Sequence, residues 1–329
     1  MQKWVRIAGY VVGGFVLVVV VLVGYLSLAF PKVSPPTSVT IHATPEMIAR
    51  GEYLANHVSV CIDCHSTRDW SKFSGPVVEG TQGKGGDKFD QQSAGVPGEF
   101  YARNITPFNL KDWTDGEIYR MITTGVRKNG EPVFPLMPYL SYGKMDPEDV
   151  KSIIVYLRTL KPIEGSYPDA KFDFPMNLIV RTIPKDAVPG TRPDPSDTLK
   201  YGQYLATIAA CGDCHTKREK GEQLPGMFLA GGFEFHLPSG DIVRSANLTP
   251  SQETGIGLWT AEDFLGKFKV YRDLVGRNKP VNPHELNSVM PWTMYAGMSD
   301  GDLRSIFRYL QSVDPVEYKV EKFTAQTGQ

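Results

Sequence analysis

The sequence predicts an all-α protein in which two tandem helical modules follow a single membrane-crossing helix. Three observations predict it: an uncharged apolar run near the amino terminus, a block of residues that occurs twice in the same order, and helical rather than alternating spacing of apolar residues elsewhere. The chain of 329 residues has room for about two ordinary domains. Its composition, 41% hydrophobic and 22% charged, describes globular protein rather than disorder. A formal net charge of −1 leaves no electrostatic footprint for nucleic acid, so no such partner is expected.

The first element is an anchor over residues 5–30. Ile7 to Phe30 carries no charge and is dense in valine and leucine. As a helix it spans the roughly 30 Å hydrocarbon core with a little to spare. Lys3 and Arg6 precede it and only Lys32 follows closely, so the positive-inside bias leaves the amino terminus in the cytoplasm and the body of the chain outside. A cleaved secretory signal is the competing reading, because Ser27-Leu28-Ala29 is a small-x-small site. The apolar run exceeds the roughly 7–15 residues of a signal core, which favours an uncleaved anchor, and either outcome exports the body. Residues 31–44 are proline-rich and small-polar, an extended spacer lifting the first module off the membrane.

Residues 45–161 and 197–318 form the two modules. Gly51-Glu52-Tyr53-Leu54-Ala55 is matched by Gly202-Gln203-Tyr204-Leu205-Ala206, Asn104-Ile105-Thr106-Pro107 by Asn247-Leu248-Thr249-Pro250, and Trp113-Thr114 by Trp259-Thr260. Further on, Met137-Pro138-Tyr139 is matched by Met290-Pro291-Trp292. Each module closes with a helix of equal apolar spacing: Val150, Ile153, Ile154, Leu157 and Leu160 against Leu303, Ile306, Phe307, Leu310 and Val313. Asp146 with Pro147, and Ser299 with Asp302, supply the start signals. The connection at residues 162–196 is a proline-rich strap without a sustained helical period. Ser74 to Gly98, with seven glycines, is a long loop of the first module alone, a surface excursion or a partner contact.

The chemistry lies in Cys61-Ile62-Asp63-Cys64-His65 and Cys211-Gly212-Asp213-Cys214-His215, which together use all four cysteines. C-x-x-C-H is the attachment signature of haem c: two thiols bond covalently to the porphyrin and the adjoining imidazole becomes an axial iron ligand. Two intervening residues curl the chain by about one turn, so both sulfurs reach one macrocycle edge while the histidine points beneath its centre. Two covalently bound haem c groups are therefore expected. A pair of disulfides, or one zinc site built from four thiolates, leaves the histidines unexplained.

His65 and His215 are the proximal ligands by position. Met137 and Met290 stand at matching stations between the middle and closing helices, and a thioether opposite the imidazole raises the reduction potential and closes the iron to substrate. Proline beside each methionine stiffens the loop that carries it. Met145 and Met298 also repeat, but each immediately precedes a helix start and reads as packing. His42, His57, His236 and His284 lack counterparts; His57 and His284 are the ones held in reserve as alternative ligands. Asn104, Asn247, Trp113 and Trp259 recur, and their role is either haem-propionate contact or the fixing of adjacent loops and core.

These residues resemble the membrane-bound multi-haem cytochrome c subunits of periplasmic gluconate, alcohol and aldehyde dehydrogenases. The resemblance rests on Gly-x-Tyr-Leu before C-x-x-C-H, Asn-Leu-Thr-Pro at 247–250, Gly255-Ile256-Gly257 before Trp259-Thr260, the Met-Pro-aromatic triplets and the Tyr-Leu of each closing helix. It implies a class I cytochrome c fold in each module, Met/His ligation by Met137 and Met290, and an electron-transfer role rather than enzymatic activity. It also implies a dehydrogenase or quinol-oxidising complex as donor, a terminal oxidase or soluble cytochrome as acceptor, and a single-pass protein of the bacterial inner membrane with its haems on the periplasmic side. Those subunits commonly carry three haems and a carboxy-terminal anchor, whereas here two haems and an amino-terminal anchor are expected, which leaves the partner open. A di-haem enzyme such as a cytochrome c peroxidase is the rival; it needs a displaceable ligand and a distal acid/base group. A subunit whose haems serve only to fold it is the third reading.

Overall fold

A computed structural model describes residues 2–326 apart from 220 and 238. Helix α1 (Gln2–Ala29) is long and apolar enough to cross a membrane, with a mean hydropathy of 2.7 over its best window, and no residue of it is buried by the rest of the protein. At about 1.5 Å per residue its 28 residues measure roughly 42 Å, longer than the roughly 30 Å hydrocarbon core. Residues 31–44 are extended, as expected of a spacer, but they lie along the body rather than standing free of it. Ser34 donates through its amide and hydroxyl to Asp186 (2.8 and 2.9 Å), and Ile41 packs on the core.

In the first half, α2 (Pro45–Tyr53) starts at the Thr44 cap with Pro45 in its first turn and runs into a single wider turn, Leu54–Val58, before the one-turn helix α3 (Cys61–Cys64). Helix α4 (Asp115–Thr124) opens on a reciprocal Thr114/Glu117 cap, α5 (Tyr139–Tyr142) follows Met137, and α6 (Pro147–Thr159) closes the half. After α7 (Met176–Thr182) in the connecting segment, the second half repeats the plan: α8 (Thr198–Ile208), α9 (Cys211–Cys214), α10 (Ala261–Lys269) behind a Thr260/Asp263 cap, α11 (Trp292–Tyr295) and α12 (Asp300–Leu310) from the Ser299 cap.

Each half is built on one helix crossing, α2 with α6 and α8 with α12. The repeated glycine of Gly-x-Tyr-Leu sits at the closest point: a Cβ on Gly51 would lie 1.9 Å from the Ser152 carbonyl oxygen, and one on Gly202 would lie 1.8 Å from that of Ser305. Only a residue without a side chain lets the backbones approach so closely. Around these crossings, Leu54, Val58, Ile153, Ile154 and Leu157 are buried in one half, and Leu205, Ile208, Leu303, Ile306 and Leu310 in the other. The apolar faces read for the closing helices are thus the faces that pack.

The chain is helix-rich, 41% helical, but not free of strands. Among the described residues, three small antiparallel sheets brace the long loops: β1 (Lys88–Phe89), β2 (Gly98–Tyr101) and β3 (Lys171–Phe172); β4 (Arg218–Glu219) with β5 (Glu222–Gln223); and β6 (Glu234–His236), β7 (Ile242–Arg244) and β8 (Phe323–Thr324). Strands of two to four residues are too short to show an alternating pattern, which corrects the all-α expectation to helix-rich with minor sheet. The strap at 162–196, expected to lack helix, contains β3 and the seven-residue α7.

The glycine-rich loop of the first half does not end on its own surface. The Phe73 amide, just before it, donates to the Lys279 carbonyl at 2.8 Å, the Val281 amide donates to that of Ser71 at 2.9 Å, and the Ser74 amide donates to Asn287 Oδ1 at 2.9 Å, so the entry to the loop is stitched to the second half.

Candidate haem-binding site

Both C-x-x-C-H motifs open onto one connected cavity of about 2060 Å³. That is about twice the top of the roughly 300–1,000 Å³ range of ordinary small-molecule pockets, room for two large groups rather than one. Cys61, Cys64, His65 and Met137 line it from the first half, and Cys211, Cys214, His215 and Met290 from the second. Phe89, Phe100 and Phe134 form an apolar wall on one side, with ring centres 5.4–5.8 Å apart, and Phe233, Phe235, Phe268 and Trp292 form one on the other.

The local backbone explains how each motif is presented. Val60 and Ala210, just before the first cysteines, both adopt the left-handed conformation (φ 44° and 55°), which turns the chain sharply from α2 or α8 into the one-turn helix. The turn is held from the far side of the half: the Tyr142 hydroxyl donates to the Ser59 carbonyl at 2.7 Å, and Tyr295 to that of Ala209 at 2.8 Å. Each tyrosine stands five residues after its methionine, so one side chain links the methionine loop to the cysteine turn. This repeat escaped the sequence reading, although Tyr142 and Tyr295 occupy equal offsets.

The four thiols are free of disulfides, and burial pushes their pKa values up to about 12. Cys64 and Cys214 owe their accessible surface to the cavity they face. Among the described residues no three His, Cys, Asp or Glu side chains gather to hold an ion, so the four sulfurs do not form the zinc centre considered above.

The imidazoles carry the decisive geometry. Nδ1 of His65 lies 2.6 Å from the Arg103 carbonyl oxygen, and Nδ1 of His215 lies 2.8 Å from that of Ala246. A carbonyl only accepts, so Nδ1 holds the proton and Nε2 keeps a free lone pair. Burial lowers both histidine pKa values and keeps the rings neutral, the ligating form. A metal-binding histidine is set in place by such a partner on its second nitrogen. The thiol pair, the oriented imidazole and the thioether therefore suit a covalently attached haem in each half.

The chain is similar to dehydrogenase cytochrome c subunits. It is 27% identical to the gluconate 2-dehydrogenase cytochrome c subunit of Pantoea cypripedii, covering 86% of this chain and 63% of that protein. It is 26% identical to the fructose dehydrogenase cytochrome subunit of Gluconobacter japonicus, over 84% of this chain and 54% of that one. A third relative, a diheme cytochrome c-type protein of Cereibacter sphaeroides, is 26% identical over 52% of this chain and 58% of its own length. The chain spans about three-fifths of the length of the first of these relatives. No family model matches it.

The remaining residues singled out from sequence fall in different places. Met145 and Met298 are buried core residues. His57 does not line the cavity; its Nδ1 is paired with the Met294 carbonyl between the halves. His284 is paired with Asp241, also away from the cavity, whereas His236, set aside as a lone histidine, lines the cavity. Asn104 and Asn247 spend their side chains on loops. Each accepts from the Thr two residues on (Thr106, Thr249) through amide and hydroxyl, and donates to the segment after the closing helix, at Ile163 (2.7 Å) and Val316 (2.8 Å). Asn247 also lines the cavity, whereas Asn104 does not. Trp113 packs against the core outside the cavity, while Trp259 lines it beneath the Lys267 ammonium, 5.1 Å from its ring centre.

Polar contacts unite the halves. The Tyr53 hydroxyl donates to Asp302 at 2.6 Å and accepts from the Ser299 amide; reciprocally, Tyr204 donates to Asp149 at 2.6 Å and accepts from the Asp146 amide. The same repeated tyrosine thus reaches the opposite closing helix in both directions, as across a two-fold interface. Beside the motifs, Asp63 pairs with Arg68 and Asp213 with Arg218, each at 3.0 Å, and Ser141 of the first half donates to Asp213 of the second.

Proposed function

We propose that this chain is a membrane-anchored di-haem cytochrome c subunit that relays electrons from a dehydrogenase or quinol-oxidising complex to a respiratory acceptor such as a terminal oxidase or soluble cytochrome. The single observation that carries the reading is the duplicated donor set on one cavity, with both imidazoles oriented through Nδ1 by a backbone carbonyl. Haem, when bound, supplies one-electron chemistry. The chain's own residues attach it through Cys61 and Cys64 or Cys211 and Cys214. His65 and His215 would hold its iron, Met137 and Met290 would supply a second ligand from the cavity lining, and the aromatic walls would exclude water. A closed coordination sphere suits a carrier; neither His57 nor His284, the reserve ligands, lines the cavity.

The reading divides the chain into an anchor (5–30), a spacer (31–44), two class I cytochrome c modules (45–161 and 197–318) and a linker (162–196). It sets both modules on the periplasmic face of the inner membrane. The likeness to cytochrome c subunits of gluconate and fructose dehydrogenases supports a dehydrogenase partner. Intact-mass analysis of the membrane-extracted protein, paired with a pyridine haemochrome assay, tests it. Two covalent haems per chain are expected, falling to one in Cys61→Ala/Cys64→Ala and in Cys211→Ala/Cys214→Ala. A wild-type chain with fewer than two haems would contradict the reading.

A further inference from the structure

We propose that the connecting segment around α7 is a second membrane contact, in which Phe174, Ile179 and Val188 enter the interfacial layer of the bilayer that α1 crosses. The inference rests on α1 being the anchor. Helix α7 packs against the end of α1, where Gly24 and Leu26 are partly covered while the rest of the helix is open. The Arg181 guanidinium donates to the Phe30 carbonyl (3.5 Å) and Asp186 accepts from Ser34, so the segment is tied to the chain where α1 ends. Because α1 is longer than the hydrocarbon core, its last turns reach headgroup depth, and α7 lies beside them.

At that place the segment presents apolar side chains that no part of the protein covers: Phe174 is 80% exposed, Val188 78% and Ile179 45%. Its other side is secured by Val180 and Pro184, both buried, so the exposed residues stand on a fixed support. Exposed apolar residues on a segment tied to the end of a membrane helix are explained by lipid. Lys171 and Lys185 flank it with long stems that can keep their ammonium groups in water, and Asp173 and Asp186 balance them. The contact is therefore apolar rather than electrostatic. Two points of attachment, α1 and α7, fix how the body and its cavity face the membrane.

A photoreactive p-benzoylphenylalanine at Phe174 or Ile179, in the full-length holoprotein reconstituted into phosphatidylcholine vesicles, tests this. Leu17 in mid-α1 serves as the anchor control, and Leu258, exposed in the second half, as the solvent control. Lipid adducts several-fold above the Leu258 background are expected at 174 and 179 as well as at 17, unchanged by high salt. Adducts at 17 with none at 174 and 179 would overturn the proposal and leave the anchor intact. No adducts at 17 would overturn the anchor, and this inference with it. Adducts at 174 that need anionic lipid or vanish in salt would overturn the apolar contact, as would adducts to a protein in place of lipid in native membranes.

Discussion

The two halves share a skeleton and differ in how it is braced. In both, the glycine crossing, the left-handed residue before the first cysteine, the carbonyl on Nδ1 and the tyrosine behind the motif recur. The methionine loops diverge. The Met290 carbonyl accepts from the hydroxyl of Ser74, a first-half residue only 1% exposed, and that hydroxyl in turn accepts from the Trp292 amide. Ser74 belongs to the glycine-rich loop that only the first half carries, so the second site borrows its brace from the first. The closing helices diverge as well. Asp149, fully buried, gathers Arg50, Arg192 and Tyr204, whereas at the repeat position of Arg50 the second half has Tyr201, and Asp302 accepts from Tyr53. The features the halves share lie at the two C-x-x-C-H motifs and the helix crossings, and the features that differ lie where the halves interlock.

Six substitutions sharpen this comparison. The largest effect is expected where the halves are alike: Gly51→Ala and Gly202→Ala each force a methyl into a carbonyl and should cost about 3 kcal/mol, at the upper end for overpacking. Chemical denaturation followed by far-ultraviolet dichroism reads this, and unequal losses would break the equivalence of the two crossings. Next, Arg50→Met removes a bidentate partner from buried Asp149 while Arg192 remains, so about 2–3 kcal/mol is expected, below the roughly 3–5 kcal/mol of an abandoned buried pair. Its repeat equivalent, Tyr201→Phe, should cost less than about 1 kcal/mol. Equal costs would deny that the second half dispensed with this ion pair.

Ser74→Ala removes one partner each from the Met290 carbonyl and the Trp292 amide, which remain bonded to one another at 2.8 Å, a loss of about 0.5–1.5 kcal/mol. In absorption spectra it should weaken the thioether-to-iron signal of one haem and leave the other intact. The smallest effect concerns pH. Burial, helped by Arg277, holds His57 below its ordinary value of 6.5 against the Met294 carbonyl. A histidine with a lowered folded pKa stabilises fully above its unfolded value and loses that contribution as pH falls through the range below it. Thermal midpoints should therefore decline below about pH 6.5, and His57→Gln should flatten the slope.

Much of this was legible in the residues. The duplicated motifs, the start signals of the closing helices and their buried faces follow from spacing, because a 3.6-residue period and a fixed attachment signature survive in linear order. The reciprocal contacts of Tyr53 and Tyr204 did not, since a hydroxyl's partner far along the chain leaves no local trace. Ser74 was hidden for the same reason, within a loop whose composition pointed to a surface excursion or a partner contact but named no partner. The short strands lay below the length at which alternation can be counted. The spacer is extended as its composition predicts, but its docking depends on Ser34 meeting Asp186, a contact composition does not encode.

Near-infrared magnetic circular dichroism of the ferric holoprotein bears most directly on the account, because it reads the axial ligand of each iron separately. Two thioether-to-iron bands of equal intensity are expected, with the Met137 and Met290 contributions removed one at a time by Met137→Ala and Met290→Ala. A high-spin component in the wild-type protein, or a band that neither substitution changes, would contradict it.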